Sequence, residues 1–354
     1  MTEDQRIREA LAAYDLGTVR AVHHHAGTAA KTWRVETDRG TWLLRTRGSR
    51  TSTDELIAFD HGLRAHLVRR GIPTAEPVPG RDGARFVRLD GQALEVYALL
   101  PGQSVGRAEP RQIAGAARLL AAFHRAGEDY RAAVPPVAQY RTLGLETATI
   151  RMESPELLSQ VYAEIERQAG RRFPRARAVA RDWLDRLRRE WSDDAYFGLP
   201  QTMTHGDFTL ANLLFAPDGE VCGVFDFDWS RRAPRVRDVA DGLFFVSGRR
   251  RTPLQAGSIW SLTEAVRLSP ERGAVWLAGY HAAYPLTAAE WDAIPLALAA
   301  RWLSVRVEGM AKVAAADRLR FVFGNLIPPL RWLDAHWPEL RAATASRLGQ
   351  AALP

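Results

Sequence analysis

The hydrophobic pattern of this chain changes period once, at Pro101-Gly102, and that change limits the folds open to it. Before it, from Val19 to about Leu99, short apolar runs alternate with polar residues and stop at turn residues: VRAVHHHAG, TWRVETD, TWLLRTR, ARFVRLDG and ALEVYALL. Alternation of period two marks strands with one buried face. One helix interrupts them. TDELIAFDHGLRAHLVRRG carries apolar residues at 56, 59, 63 and 67, a spacing that makes one buried stripe, and Gly71 with Pro73 beyond ends it. A shorter helix opens the chain, where Thr2 and Gln5 form a capping box. Beyond Pro101 the text turns Ala- and Leu-rich with helical spacing, as in RQIAGAARLLAAFHRAG and ARAVARDWLDRLRREW. One later hairpin, NLLFAPDGEVCGVFDFD, turns at Pro217-Asp218-Gly219.

These patterns predict an α+β chain of two lobes. Residues 1–100 form a small antiparallel β-sheet lobe with one main helix, and residues 101–354 a larger, mostly α-helical lobe. A division into two suits 354 residues at about 100 to 200 per domain. Hydrophobic residues at 46% and charged residues at 25% are ordinary for a globular protein. The net charge of +7 is spread over amphipathic segments, apart from the run Arg249, Arg250, Arg251, and no nucleic-acid-binding pattern accompanies it. The charge is therefore read as solvated helix faces, with no nucleic acid as partner. The single cysteine, Cys222, excludes an internal disulfide and is read as a small core residue in a reducing compartment. No apolar run reaches the ~20 residues that span a bilayer, and the first residues lack a secretory signal. A soluble cytoplasmic monomer or homodimer without a membrane partner is expected.

The block from His205 to Asp228, HGDFTLANLLFAPDGEVCGVFDFD, concentrates the chemistry. Asp207 and Asn212 lie five positions apart on a loop entering a strand, and Asp226 follows the next strand. A hydroxyl nucleophile needs a carboxylate to accept its proton, and nucleotide phosphates need oxygen ligands that hold a divalent ion against their charge. Asp, Asn and Asp across one hairpin supply both. The block resembles the HGD-x-x-x-x-N and D-x-D signature of the aminoglycoside phosphotransferase and choline kinase superfamily, and the pattern is nearest to homoserine-kinase-like and antibiotic-kinase bacterial members. The resemblance implies a bilobal protein-kinase-like fold, Mg²⁺ as cofactor and ATP or GTP as co-substrate. It implies Asp207 as catalytic base, Asn212 and Asp226 as metal ligands, His205 as a prop of the catalytic loop and Asp228 at the acceptor or metal site. RRAPRVRDVADGLFF resembles the family's P-R-x-x-D-x-A stretch, and Asp238 is read there as a helix cap bracing that loop.

In the β-rich lobe, HHHAGTAAKTWRV falls where the family has its phosphate-covering loop, with Gly27 at the turn and Lys31 as a further phosphate contact. His23, His24 and His25 do not make a metal site, because neighbours on a strand face opposite ways. Arg45 stands where the family has a lysine for the phosphates. Its acidic partner falls at Asp60 by spacing from Leu67 and Gly71, with Glu55 as the alternative. The backbone of Val96, Tyr97, Ala98 and Leu99 resembles the hinge on which the base rests. Trp229, Arg232, Tyr280, Trp302 and Glu308 are candidate contacts of the acceptor, with Arg235 and Tyr284 beside them. The expected partners are a nucleoside triphosphate and a small-molecule hydroxyl acceptor: an antibiotic or other specialised metabolite, or a homoserine-like, amino-sugar or nucleoside metabolite. The other reading is a nucleotide-binding pseudokinase or scaffold, motivated by Arg45 and the glycine-poor loop.

Overall fold

The structure, a computed structural model, describes residues 2–26, 31–48, 51–132, 154–252 and 258–354. Its N-terminal part opens with α1 (Glu3–Ala12), where Thr2 and Gln5 form the expected capping box. Five strands follow: β1 (Val19–Ala26), β2 (Thr32–Thr37), β3 (Gly40–Thr46), β4 (Val87–Leu89) and β5 (Gln92–Ala98). They build one antiparallel sheet in the order β1-β2-β3-β5-β4. Alternation buries Trp33, Val35, Leu44, Leu94 and Val96 on one face, under Ile7, Leu11 and Tyr14 of α1 and its end.

Between β3 and β4 runs α2 (Asp54–Arg69). Thr53 caps it by accepting from Leu56 N–H, Asp54 and Glu55 favour its first turn, and Gly71 at φ +78° lets Ile72 N–H reach back to Leu67. Its apolar stripe turns away from the sheet: Phe59, Leu63 and Leu67 join the core of the helical part, at roughly 1.5–3 kcal/mol of burial for each large side chain. α2 thus ties the sheet lobe to the rest of the chain.

The remainder is mostly helical: α3 (Pro110–Gly127), α4 (Pro155–Ala169), α5 (Pro174–Glu190), α6 (Asp193–Phe197), α7 (Val236–Phe245), α8 (Pro270–Ala283), α9 (Ala288–Met310), α10 (Arg318–Phe323) and α11 (Ile327–Arg347). α3 packs on α8, α8 on α11, and α7 on α9. Three two-stranded ladders are set among them. β6 (Gln201–Thr204) pairs β9 (Arg231–Pro234), β7 (Leu213–Phe215) pairs β8 (Val221–Val224), and β10 (Arg249–Arg250) pairs β11 (Val266–Arg267). Cys222 is not a core residue. It is half-buried on β8, and its thiol donates to the Pro101 carbonyl at 3.2 Å, against the linker. No helix among the described residues is long and apolar enough to cross a membrane.

Candidate active site

Asp207 follows β6 on the loop that leads into β7, and Asp226 lies two residues past the end of β8. The β7-β8 pairing brings the two stretches together, and Phe225 N–H donates to the Asn212 carbonyl at 3.2 Å. The Asn212 side-chain N–H₂ donates to the Asp207 carbonyl at 2.9 Å and to Asp207 Oδ2 at 3.3 Å. That orientation leaves Asn212 Oδ1 as its acceptor oxygen. Asp226 takes the left-handed conformation at φ +69°, unusual outside glycine and tolerated best by Asp and Asn. Burial pushes its carboxyl up to about 6, with Asp228 and Asp207 adding to this and Arg45 opposing.

Three buried groups hold the loop. Asp238 accepts from His205 N–H at 2.5 Å, from Gly206 N–H at 3.1 Å and from His124 Nε2 at 3.2 Å. The helix begins after Arg235, so Asp238 sits inside the first turn of α7 and spends its carboxylate on the loop. Asp238 therefore braces the loop as expected, but from inside the helix and not as its cap. His205 Nε2–H donates to the Phe225 carbonyl, and its Nδ1 accepts from Asp207 N–H, which joins the loop to the residue before Asp226. Burial lowers the pKa of His205 and His124, so both rings act as neutral donors and acceptors. Gly206 has φ +82° and lies against the Trp229 carbonyl, where any Cβ would collide.

Arg45 of β3 departs from expectation. Arg45 does not pair with Asp60 or Glu55. Its Nη2 bridges Asp226 at 2.9 Å and Asp228 at 2.8 Å, from the sheet to the helical part. Arg47, one residue past the end of β3, takes Asp60 instead, and donates to Glu95 at 2.7 Å and Asp228 at 3.4 Å. Burial alone would raise the Asp60 pKa, but Arg64 and Arg47 reverse this and hold it well below the usual range. Asp60, His61 and Glu95 are close enough to share a cation, but Arg47 and Arg64 already neutralise the carboxylates. Asp228 also accepts from Thr51, so its carboxylate is engaged by three groups of the sheet lobe.

Other expected contacts move too. Lys31 pairs with exposed Glu3 at 2.5 Å, and Gly27 lies outside the described residues. At the hinge, Leu99 N–H is spent on Thr41 and the Val96 carbonyl on Val78 N–H. Tyr97 buries its ring and donates to Glu95, while Ala98 closes the β3-β5 ladder opposite Trp42. Tyr280 is buried and bonded to His124 Nδ1 at 2.7 Å, and Trp302 is buried with its N–H on Leu326. Arg232 points outward from β9, Trp229 is partly buried beside Gly206, and Arg235 is locked in a buried pair with Glu290 and stacked on Tyr284. Glu308 keeps 24% of its side-chain surface, 3.8 Å from Arg301.

Sequence reasoning missed Arg47, His124 and Arg301. Arg301, on α9, donates to Asp207 Oδ1 at 3.4 Å and Asp241 Oδ1 at 3.2 Å. A lone charge inside the apolar run LALAARWL was the available signal for it.

A family profile described as the phosphotransferase enzyme family matches residues 21–270. The chain belongs to that family. Among its relatives is a homoserine kinase of Xanthobacter autotrophicus, 29% identical over 92% of this chain and 84% of that protein. A homoserine kinase of Methylobacterium sp. is 28% identical over 83% and 81%. The fold is that of a solved aminopropanol kinase (TM-score 0.65, 17% identity, 96% and 100% covered) and of an amicoumacin kinase (0.62, 14%, 95% and 94%). The phosphotransferase is a small-molecule kinase with an alcohol group as acceptor, and its kinase-like fold agrees with the resemblance seen in the His205–Asp228 block.

Proposed function

We propose that this phosphotransferase moves the γ-phosphoryl group of ATP or GTP to the hydroxyl of a small hydroxy amino acid or related metabolite, with Mg²⁺ as cofactor. The observation that carries the reading is the meeting of Asp207, Asn212 and Asp226 on one braced loop and hairpin, with Arg45 reaching across to Asp226. Asp207 accepts the hydroxyl proton as the acceptor oxygen forms its bond to phosphorus and the bond to the nucleoside diphosphate oxygen breaks. The donors suit a hard cation: a carboxylate oxygen of Asp226 and the amide Oδ1 of Asn212. When bound there, Mg²⁺ neutralises phosphate charge. Arg45 would offer its planar fork to the phosphates of a bound nucleotide. With the Leu99 N–H committed to Thr41 and the Val96 carbonyl to Val78, Ala98 at the end of β5 is the hinge position whose backbone is offered to the base.

The homoserine kinases, matched over most of their length, support a hydroxy amino acid over an antibiotic as acceptor. The test is calorimetry with Mg·ATP and Mg·GTP, followed by a mass-spectrometric screen for a gain of about 80 Da, one phosphoryl group, across amino acids, alcohols, nucleosides and antibiotics. Transfer to a hydroxy amino acid is expected. Nucleotide binding without transfer to any acceptor would favour a pseudokinase.

A further inference from the structure

A cavity of about 310 Å³ opens beside the loop that carries Asp207 and Asn212. One wall is the 104–107 stretch after the linker, the second is Leu210 and Ala211, and the third is Phe245, Gly248 and Arg250 after α7. Leu210 is three residues from Asp207, which limits its Cα to about 11 Å from that of Asp207. The walls are fixed. Gln103 exchanges both backbone hydrogen bonds with Phe215 of β7, and buried Arg272 donates to the Ser247 carbonyl and the Ala108 carbonyl, each at 2.7 Å.

Positive charge on these walls is only partly countered, since Glu264 is the carboxylate whose charge reaches Arg250. Arg250 stacks on Phe244 and Phe245 and gives Nη1 to the Ser261 carbonyl at 2.9 Å, but its buried Nε and Nη2 have no hydrogen-bond partner among the described residues. Leaving such donors unpaired is unfavourable. Arg107 is exposed on the opposite wall, and Arg249 adds to the field felt at Arg272. The carboxylates nearby are Glu264, bonded to Thr252, and Glu109, bonded within its helix cap. Burial lowers the Arg250 pKa to about 10, with the charge of Glu264 opposing it.

We infer that this cavity receives the far end of the acceptor and that this end is an anion, a carboxylate or a phosphate, read by Arg250 and Arg107. The inference rests on the kinase reading above and names its substrate class: a short alcohol with a negative charge a few bonds from the reacting hydroxyl. About 310 Å³ suits such a compound, at the lower end of cavities that take drug-sized ligands.

The test uses matched pairs differing in the anion: L-homoserine against 3-aminopropan-1-ol, and glycerol 3-phosphate against glycerol. The intact enzyme should favour an anionic member by at least about tenfold in kcat/KM, the scale of one charged hydrogen bond. The homoserine pair reports a carboxylate source and the glycerol pair a phosphate source. Arg250→Ala should remove the preference by raising the acceptor KM, with the nucleotide KM unchanged, and Arg250→Lys should restore part of it. Arg107→Ala, at an exposed position, should weaken the preference in a fully folded protein. A preference for the neutral members, a preference untouched in both alanine variants, or a rise in nucleotide KM alone would overturn the inference. Transfer to neither member of either pair also overturns it, and calorimetry with Mg·ATP on the same sample then shows whether the kinase reading stands.

Discussion

Asp238 shows how one side chain organises a site without touching the reacting atoms. Its carboxylate takes two backbone N–H groups of the catalytic loop and the His124 imidazole, all fully buried. Asp238→Ala leaves these donors unpaired at about 1–3 kcal/mol each, so a loss of about 3 kcal/mol or more is expected in the urea unfolding midpoint, together with lower kcat. Asp238→Asn should lose less, since one amide oxygen still accepts. The residue scale is also where sequence reading fell short. HGD, Asn and D-x-D were visible because chain spacing alone places them. The partners of Arg45 were not. Whether Arg45 or Arg47 reaches Asp60 depends on where each lies relative to α2 in the fold, and two arginines two residues apart look alike in the text.

Elements were easier to read than contacts. Every strand of the main sheet and the β7-β8 hairpin lie where alternation and turn residues put them, because period two and Pro-Asp-Gly are local properties. The partners of helices are not local. α2 has the stripe its sequence shows, yet that stripe joins the helical core and leaves the sheet to α1. The same holds for two side chains expected at the acceptor: Tyr280 of α8 and Trp302 of α9 are buried among neighbouring helices that their own sequence does not name. α9 is anchored at its start by Glu290, which accepts from Arg235 at 2.6 Å and 2.7 Å and from Thr287 N–H at 2.8 Å. Glu290→Ala strands the buried Arg235 charge and removes the capping box. A loss of about 3–5 kcal/mol is expected for a broken buried pair, read as a fall in the denaturant midpoint. Glu290→Gln should lose less, since its amide oxygen still accepts from Arg235.

At the scale of the molecule, buried ionisable groups set how stability follows pH. Burial lowers the folded pKa of His124 and His281, while the unfolded rings titrate near about 6.5. The unfolded chain binds protons more readily, so their contribution is fully present above that pH and is lost as pH falls below it. A second loss follows lower down. Hydrogen bonding from His61 and the charge of Arg47 outweigh burial and hold Glu95 at about 2, so its contribution is present above the ordinary carboxylate range and lost as pH falls through about 2. Melting temperature against pH should show both steps, and His124→Asn should flatten the first.

The sheet and the helical lobe are joined through Arg45 and Arg47 on Asp226, Asp228 and Asp60, which sets the catalytic hairpin against the strand expected to face the phosphates. Asp207 is the group proposed to take the acceptor proton. Once the acceptor screen has supplied a substrate, the most direct measurement is its rate of phosphoryl transfer by the Asp207→Asn protein, alongside Mg·nucleotide affinity by calorimetry. The rate should fall by about 10²- to 10⁴-fold, the usual contribution of a general base, with nucleotide affinity largely kept. Transfer at the rate of the unaltered enzyme would contradict it.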